Sequence, residues 1–124
     1  TLSSSSAASD VYKRQSLLKP ASDRLREYMA TLTFNAPQIP LINNVDVAIV
    51  SDVDGIKDAL VRQAANPVRW VESVQKMAAE GVTDVVECGP GKVLAGLTKR
   101  INGELTGHAI VDQASLDAVL ELLK

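Results

Sequence analysis

The 124-residue chain has one cysteine, one histidine and almost no aromatic residues: one tryptophan, two tyrosines and one phenylalanine, 3% of the total. The lone Cys88 excludes an internal disulfide framework and suits a reducing cytosol, the compartment expected here. Cys88 and His108 lie twenty positions apart and form no recognisable ligand set, so neither a metal nor another cofactor is expected. No apolar run approaches the roughly 18 residues of a membrane span. The head also lacks the continuous apolar segment of a secretory signal. Neither sign of charge dominates: 13 Lys and Arg face 15 Asp and Glu, for a net charge of −2. That denies nucleic acid the basic stripe it requires. No Gly-x-Ser-x-Gly elbow occurs, so a serine hydrolase triad cannot be assembled from these residues.

What remains is aliphatic. Hydrophobic residues make up 46% of the chain, enough for a core of helices packed on sheet. Residues 1–15, with the run Ser3 to Ser9, cannot bury enough apolar surface to offset the cost of ordering them. They read as a disordered or non-native head, and 16–124 as one α/β portion. The start at Thr1 fits a fragment, and processing would produce the same start.

From Ser16 the spacing predicts a helix to about Leu32, with Leu17, Leu18, Ala21, Leu25, Tyr28, Met29 and Leu32 on one face and Pro20 in its first turn. Pro37 and Pro40 break it, and "PLINNVDVAIV" reads as one or two short strands. A helix capped by Asp52 or Asp54 should run to about Ala64 and bury Ile56, Ala59 and Leu60. Asn66 is a good N-cap and Pro67 a good first residue for a third helix. That helix places Val68, Val71, Val74 and Ala78 together, beside Trp70 and Met77, and ends at Gly81. "TDVVEC" is a strand, "GPG" a turn, "KVLAGLTKRI" a helix closed by Asn102 and Gly103, "HAIV" a strand, and 112–124 a last helix. The alternation argues for parallel pairing. Three strand segments are too few for these helices, so the sheet should be incomplete.

Three local features invite chemistry. In "VVECGPGKVLAGL", Gly89, Gly91 and Gly96 do not reproduce a dinucleotide fingerprint, and Lys92 lacks the Ser or Thr of a P-loop. A tight strand-to-helix corner explains them better. Cys88 precedes that helix and could be activated there, with His108 as the available partner, but a buried inert thiol is the commoner case. His108 should satisfy a local hydrogen bond. In "DALVRQAANPVRW", Arg62 and Arg69 read as solvated helix-end charges, while Gln63 stands where a side chain or carbonyl can point into a cleft.

Read together, "FNAPQIPLINNVDV", "IKDALVRQAANPVRWVESVQKMAAEGV" and "VECGPGKVLAGLTKRI" resemble the C-terminal part of bacterial malonyl-CoA:acyl-carrier-protein transacylases. The resemblance implies an α/β-hydrolase-like large subdomain with an incomplete parallel sheet flanked by helices. It also implies a ping-pong transfer of malonyl from coenzyme A through a serine ester to acyl carrier protein. Malonyl-CoA and acyl carrier protein are then the parent enzyme's partners, with no nucleic acid, membrane or metal. The family pattern His-Ser-x-Leu-[Leu/Met]-Lys-Pro-Ala ends in "SLLKPA" and sets the catalytic histidine at position 14, where this chain has Arg14. The expected reading is truncation just after that histidine, with the serine elbow, the malonate-binding arginine and an oxyanion glutamine upstream. Of the family's site residues only Gln63 carries over, its backbone carbonyl orienting the absent histidine. Asn43 and Asn44 match the family without an assigned role. The chain alone is expected to be inactive. The alternatives are a polyketide-synthase acyltransferase domain and a non-catalytic α/β module that binds carrier protein.

Overall fold

The computed structural model describes residues 17–124, so Arg14 and the head lie outside the described residues. The chain divides into two units, Thr1–Ser73 and Val74–Lys124.

The first unit opens with α1, Lys19–Thr31. Pro20 sits within its first turn, where no intrahelical N–H is lost. The face expected to be apolar is only partly covered. Leu25, Met29 and Leu32 are half-buried, whereas Leu17, Leu18, Ala21 and Tyr28 are exposed. The buried residue of α1 is Ser22. Its hydroxyl donates to the carbonyl of Val61 at 2.8 Å, so a polar bond stands at the centre of this helix packing. Spacing alone finds apolar stripes and not such a seat.

Two short strands follow, β1 (Ile42–Asn43) and β2 (Ala48–Ile49), paired antiparallel with Ile42 opposite Ile49. The expectation of parallel pairing does not hold here. A connection this short can only turn a hairpin, because parallel neighbours need a crossover of a dozen or more residues. The second helix, α2 (Val53–Gln63), begins at Asp52, whose carboxylate accepts the Gly55 N–H at 2.7 Å. Ala59 and Val61 are its buried residues. Lys57 Nζ donates to the Leu32 carbonyl at 2.6 Å and lies 5.2 Å from the Phe34 ring centre. A cation on the last carbonyls of α1 satisfies one orphan acceptor and complements the helix dipole.

The helix α3 spans Trp70–Ala79, and the division between the units falls inside it. Asn66 does not start it. The Asn66 side-chain amide donates backward to the Arg62 carbonyl at 2.6 Å, so this residue caps the end of α2. The first carbonyl of α3 to receive a bond is that of Arg69, from Ser73 N–H at 2.9 Å. An asparagine amide can donate as well as accept, and a helix end just upstream offers it carbonyls.

The second unit is a strand-helix-strand-helix run: β3 (Asp84–Cys88), α4 (Val93–Ile101), β4 (Thr106–Ile110) and α5 (Gln113–Leu122). The strands pair in parallel, Asp84 opposite Thr106 through Cys88 opposite Ile110. The crossover is α4, and both α4 and α5 pack on β4. Gly81, at φ +91°, takes the left-handed turn expected after α3. Gly107 has a different reason. A Cβ there would stand 2.4 Å from the Ala95 carbonyl oxygen, so β4 can approach α4 only where a side chain is missing. Thr98, Leu105 and Val119 are buried in this unit. Asp112 and Ser115 form a capping box at the start of α5.

Among the described residues no helix is long and apolar enough to cross a membrane. None of their His, Cys, Asp and Glu side chains gather in threes to hold a metal.

Candidate functional site

The first unit contains a cavity of about 230 Å³. The hairpin contributes Ile42 and Asn43 to its wall, α2 contributes Ile56, Leu60 and Gln63, and α3 contributes Trp70. Gln63 is the last residue of α2, and local chemistry decides what its carbonyl meets. The carbonyl of a helix's last residue would bond the N–H four positions on. That position is Pro67, which has no N–H to give. The neighbouring carbonyls are served: Val61 accepts from Ala64 at 3.3 Å, and Arg62 accepts from Ala65 at 3.2 Å as well as from Asn66. Among the described residues, no hydrogen bond reaches the Gln63 carbonyl. Trp70 adds a second orphan. Its buried indole N–H has no partner among the described residues.

The hairpin beside the cavity is held from within by Asn43. Its side-chain oxygen accepts from Asp46 N–H at 2.8 Å, and its amide donates to the Ala48 carbonyl at 3.1 Å. Val47 in this turn has φ +55°, a costly conformation for a β-branched residue. The role of Asn43 is therefore structural, since its two bonds keep a strained turn closed.

That turn is fastened to α2 by charge. Arg62 donates through both terminal nitrogens to the two carboxylate oxygens of Asp46, at 2.7 and 2.6 Å, and through Nε to Asp58 at 2.6 Å. Arg26 of α1 reaches the other oxygen of Asp58 at 3.1 Å. Arg62 beside Asp46 holds that carboxyl below the usual carboxylate range. Asp58 is lowered likewise, by Arg62 first and Arg26 second. The same bonds raise Arg62, Asp46 contributing most. Arg62 was expected to be a solvated helix-end charge, and it is instead the hub of a four-residue network. Part of the signal was visible in the i, i+4 spacing of Asp58 and Arg62. Nothing in the spacing singles out Asp46. Arg69 conforms better to its expectation, being exposed and paired with Glu72. Its backbone N–H nevertheless donates to the Asn44 carbonyl at 3.2 Å, a second tie from the α2–α3 junction to the hairpin.

In the second unit the glycine corner and His108 take part in structural contacts, while Cys88 departs from its expectation. Glu87 turns its carboxylate onto the Ala95 N–H at 2.8 Å. The start of α4 thus already carries an internal anion, which argues for a corner and against a phosphate cradle. Cys88 is exposed and not buried, because it ends β3 where the chain leaves the sheet. His108 Nε2 pairs with Asp84 at 2.9 Å, and Thr83 donates to the same carboxylate at 2.8 Å. The His108 bond, more than any other cause, lowers Asp84. The expected local partner of His108 is therefore present.

No family model matches the chain. Individual proteins do. It is 54% identical over 106 residues to the malonyl CoA-acyl carrier protein transacylase of Escherichia coli (strain K12), covering 86% of this chain and 34% of that protein. The chain is related to the malonyl CoA-acyl carrier protein transacylases. It spans about a third of the length of the transacylases it matches. A solved acyl-carrier-protein S-malonyltransferase from Burkholderia pseudomallei 1710b matches at TM-score 0.83 and 67% identity, over 87% of this chain and 35% of that one. A type II PKS acyl-carrier protein in complex with its malonyl-transacylase matches at TM-score 0.83 and 48% identity, over 86% and 35%. The α/β fold with its small parallel and antiparallel sheets is thus like the matching part of these malonyltransferases.

Proposed function

We propose that this chain supplies the C-terminal third of a cytoplasmic malonyl-CoA:acyl-carrier-protein S-malonyltransferase that serves fatty acid biosynthesis. The observation that carries the reading is Gln63, which lines the cavity and whose carbonyl receives no bond among the described residues, in a chain 54% identical to such a transacylase. In the complete enzyme a serine oxygen attacks the malonyl thioester, forming the serine ester and expelling coenzyme A as its thiol. The carrier protein's thiol then attacks that ester and leaves with malonyl as a thioester, which restores the serine. One histidine accepts the proton of each attacking group and returns it to each leaving group. The Gln63 carbonyl accepts the other N–H of that imidazole, selecting its tautomer and favouring the imidazolium, as a carboxylate does in a serine triad. An arginine elsewhere in the enzyme forks onto the malonate carboxylate.

The test is a chimera in which residues 17–124 replace the matching third of the Escherichia coli relative. Transfer of malonyl from malonyl-CoA to carrier protein is expected from the chimera and none from the chain alone. A folded chimera without transfer, or turnover by the isolated chain, would overturn the proposal.

A further inference from the structure

The α2–α3 junction has one feature that the proposed reaction does not by itself require. A helix end normally frays, and the direction of its last carbonyl is soft. Here both ends of the residue before Gln63 are held. The Arg62 side chain is gripped by three carboxylate oxygens of Asp46 and Asp58. The Arg62 carbonyl is gripped by Ala65 and Asn66. Past the junction, the Arg69 N–H is tied to Asn44. Hairpin, helix end and junction are thus tied around a single carbonyl that receives no bond among the described residues.

We infer that Arg62, with Asp46 and Asp58, is a positioning residue that aims the Gln63 carbonyl. The inference rests on the function proposed above. Only a planar guanidinium can do this. It offers Nε to one carboxylate and a parallel fork to another, while an ammonium gives a point charge with no fixed direction. Asp46 sits in the turn that Asn43 closes, so the fork draws its anchor from a rigid loop. Aim matters because the carbonyl must meet an imidazole N–H near 2.9 Å in line, and such bonds weaken steeply when bent.

The test uses the chimera described above with Arg62→Lys and Asp46→Asn. Misplaced positioning groups cost as much as roughly 100-fold in rate, so kcat should fall by about 10- to 100-fold while KM for malonyl-CoA holds. Losing a well-aimed acceptor destabilises the imidazolium, so the acid limb of the kcat–pH profile should move to lower pH. Lys57→Met removes a different tie of the same unit. It should lower the melting temperature and leave kcat and the pH profile as they were. Variants of Arg62 and Asp46 that melt lower but keep the parent kcat and acid limb would reduce the network to scaffolding. Should Arg62→Lys fail to fold, Asp58→Asn keeps the Asp46 fork and should show the same shift in smaller measure. Hydrogen exchange separates this inference from the function it rests on. Amides of Ala64 and Ala65 should exchange faster in the variants, with those of β4 unchanged. A chimera without turnover overturns the proposed function. Unchanged exchange at the junction overturns the role of Arg62 whatever the chimera does.

Discussion

The two units solve the same problem by different means. From Val74 onward, order comes from a parallel ladder, a crossover helix and close approach of backbone to backbone, as at Gly107. Up to Ser73 the only ladder among the described residues is a hairpin two residues long on each side. Order there comes from side chains reaching across the sequence: Ser22 to Val61, Lys57 to Leu32, Arg26 to Asp58 and Arg62 to Asp46. A ladder fixes a whole element at once, whereas discrete ties fix chosen points. The residue carried over as a site residue, Gln63, lies in the unit built from ties, where one carbonyl can be left free while its neighbours are bonded.

The sharpest way to break the ladder-built unit is Gly107→Ala. The added Cβ meets the backbone of α4, with the Ala95 oxygen at 2.4 Å and its carbonyl carbon at 3.1 Å, so no side chain can rotate away to make room. Overpacking of this kind costs typically 1–3 kcal/mol, and a backbone obstacle puts it at about 3 kcal/mol. Thermal unfolding of the chimera should show it as the largest single loss. An unchanged melting temperature would mean that β4 and α4 stand further apart than described.

The tie-built unit should yield more gently. Ser22→Ala removes one of two donors to the Val61 carbonyl, which keeps its bond from the Ala64 N–H, at a cost of about 0.5–1.5 kcal/mol. Ser22→Thr keeps the hydroxyl and separates loss of the bond from a change of volume. If Ser22→Ala melts like the parent, α1 is held to α2 by its apolar contacts and not by this bond.

Much of this division was legible in the residues. Asp52 as cap of α2, Gly81 as the stop of α3, and the corner at "GPG" follow from backbone rules that act within four residues. Parallel pairing of β3 and β4 follows from alternation of element types. The misreadings share a cause. Asn66 has the right side chain for two opposite caps, and only the position of the preceding helix end chooses between them. Cys88 is apolar enough to bury, yet ends a strand at the surface. Arg62 looks like any charged residue in a last turn until the fold brings Asp46, sixteen positions away, within 2.7 Å. Local signals specify elements, and the ties between elements are decided by where the elements meet. Gln63 stands out in the residues as the polar side chain before the break at Pro67, where a side chain or carbonyl can point into a cleft, but its role comes only from likeness to a family, because a carbonyl has no signature in a sequence.

The smallest expected effect is the one that best separates the two units. Asp46 and Asp58 are held below the ordinary carboxylate range by Arg62, which means the folded state binds protons there less readily than the unfolded chain. Their contribution is complete above the ordinary carboxylate pKa of about 4. As pH falls through that value the unfolded state takes up protons first and gains ground, and below the folded pKa the contribution is gone. Both carboxylates are well exposed and screened by solvent and salt, so the effect is modest. Stability of the chimera between pH 6 and 3 should therefore decline less steeply in Arg62→Gln than in the parent. Asp84, lowered mainly by His108, lies in the second unit and gives the comparison its control. His108→Gln removes that partner without touching the Arg62 network, so hydrogen exchange across the same pH range should change in β3 and β4 and not at Ala64 or Ala65. If acid loosens the two units equally in both variants, the charge network holds nothing in particular, and the contrast between ladder and ties does not extend to their response to protons.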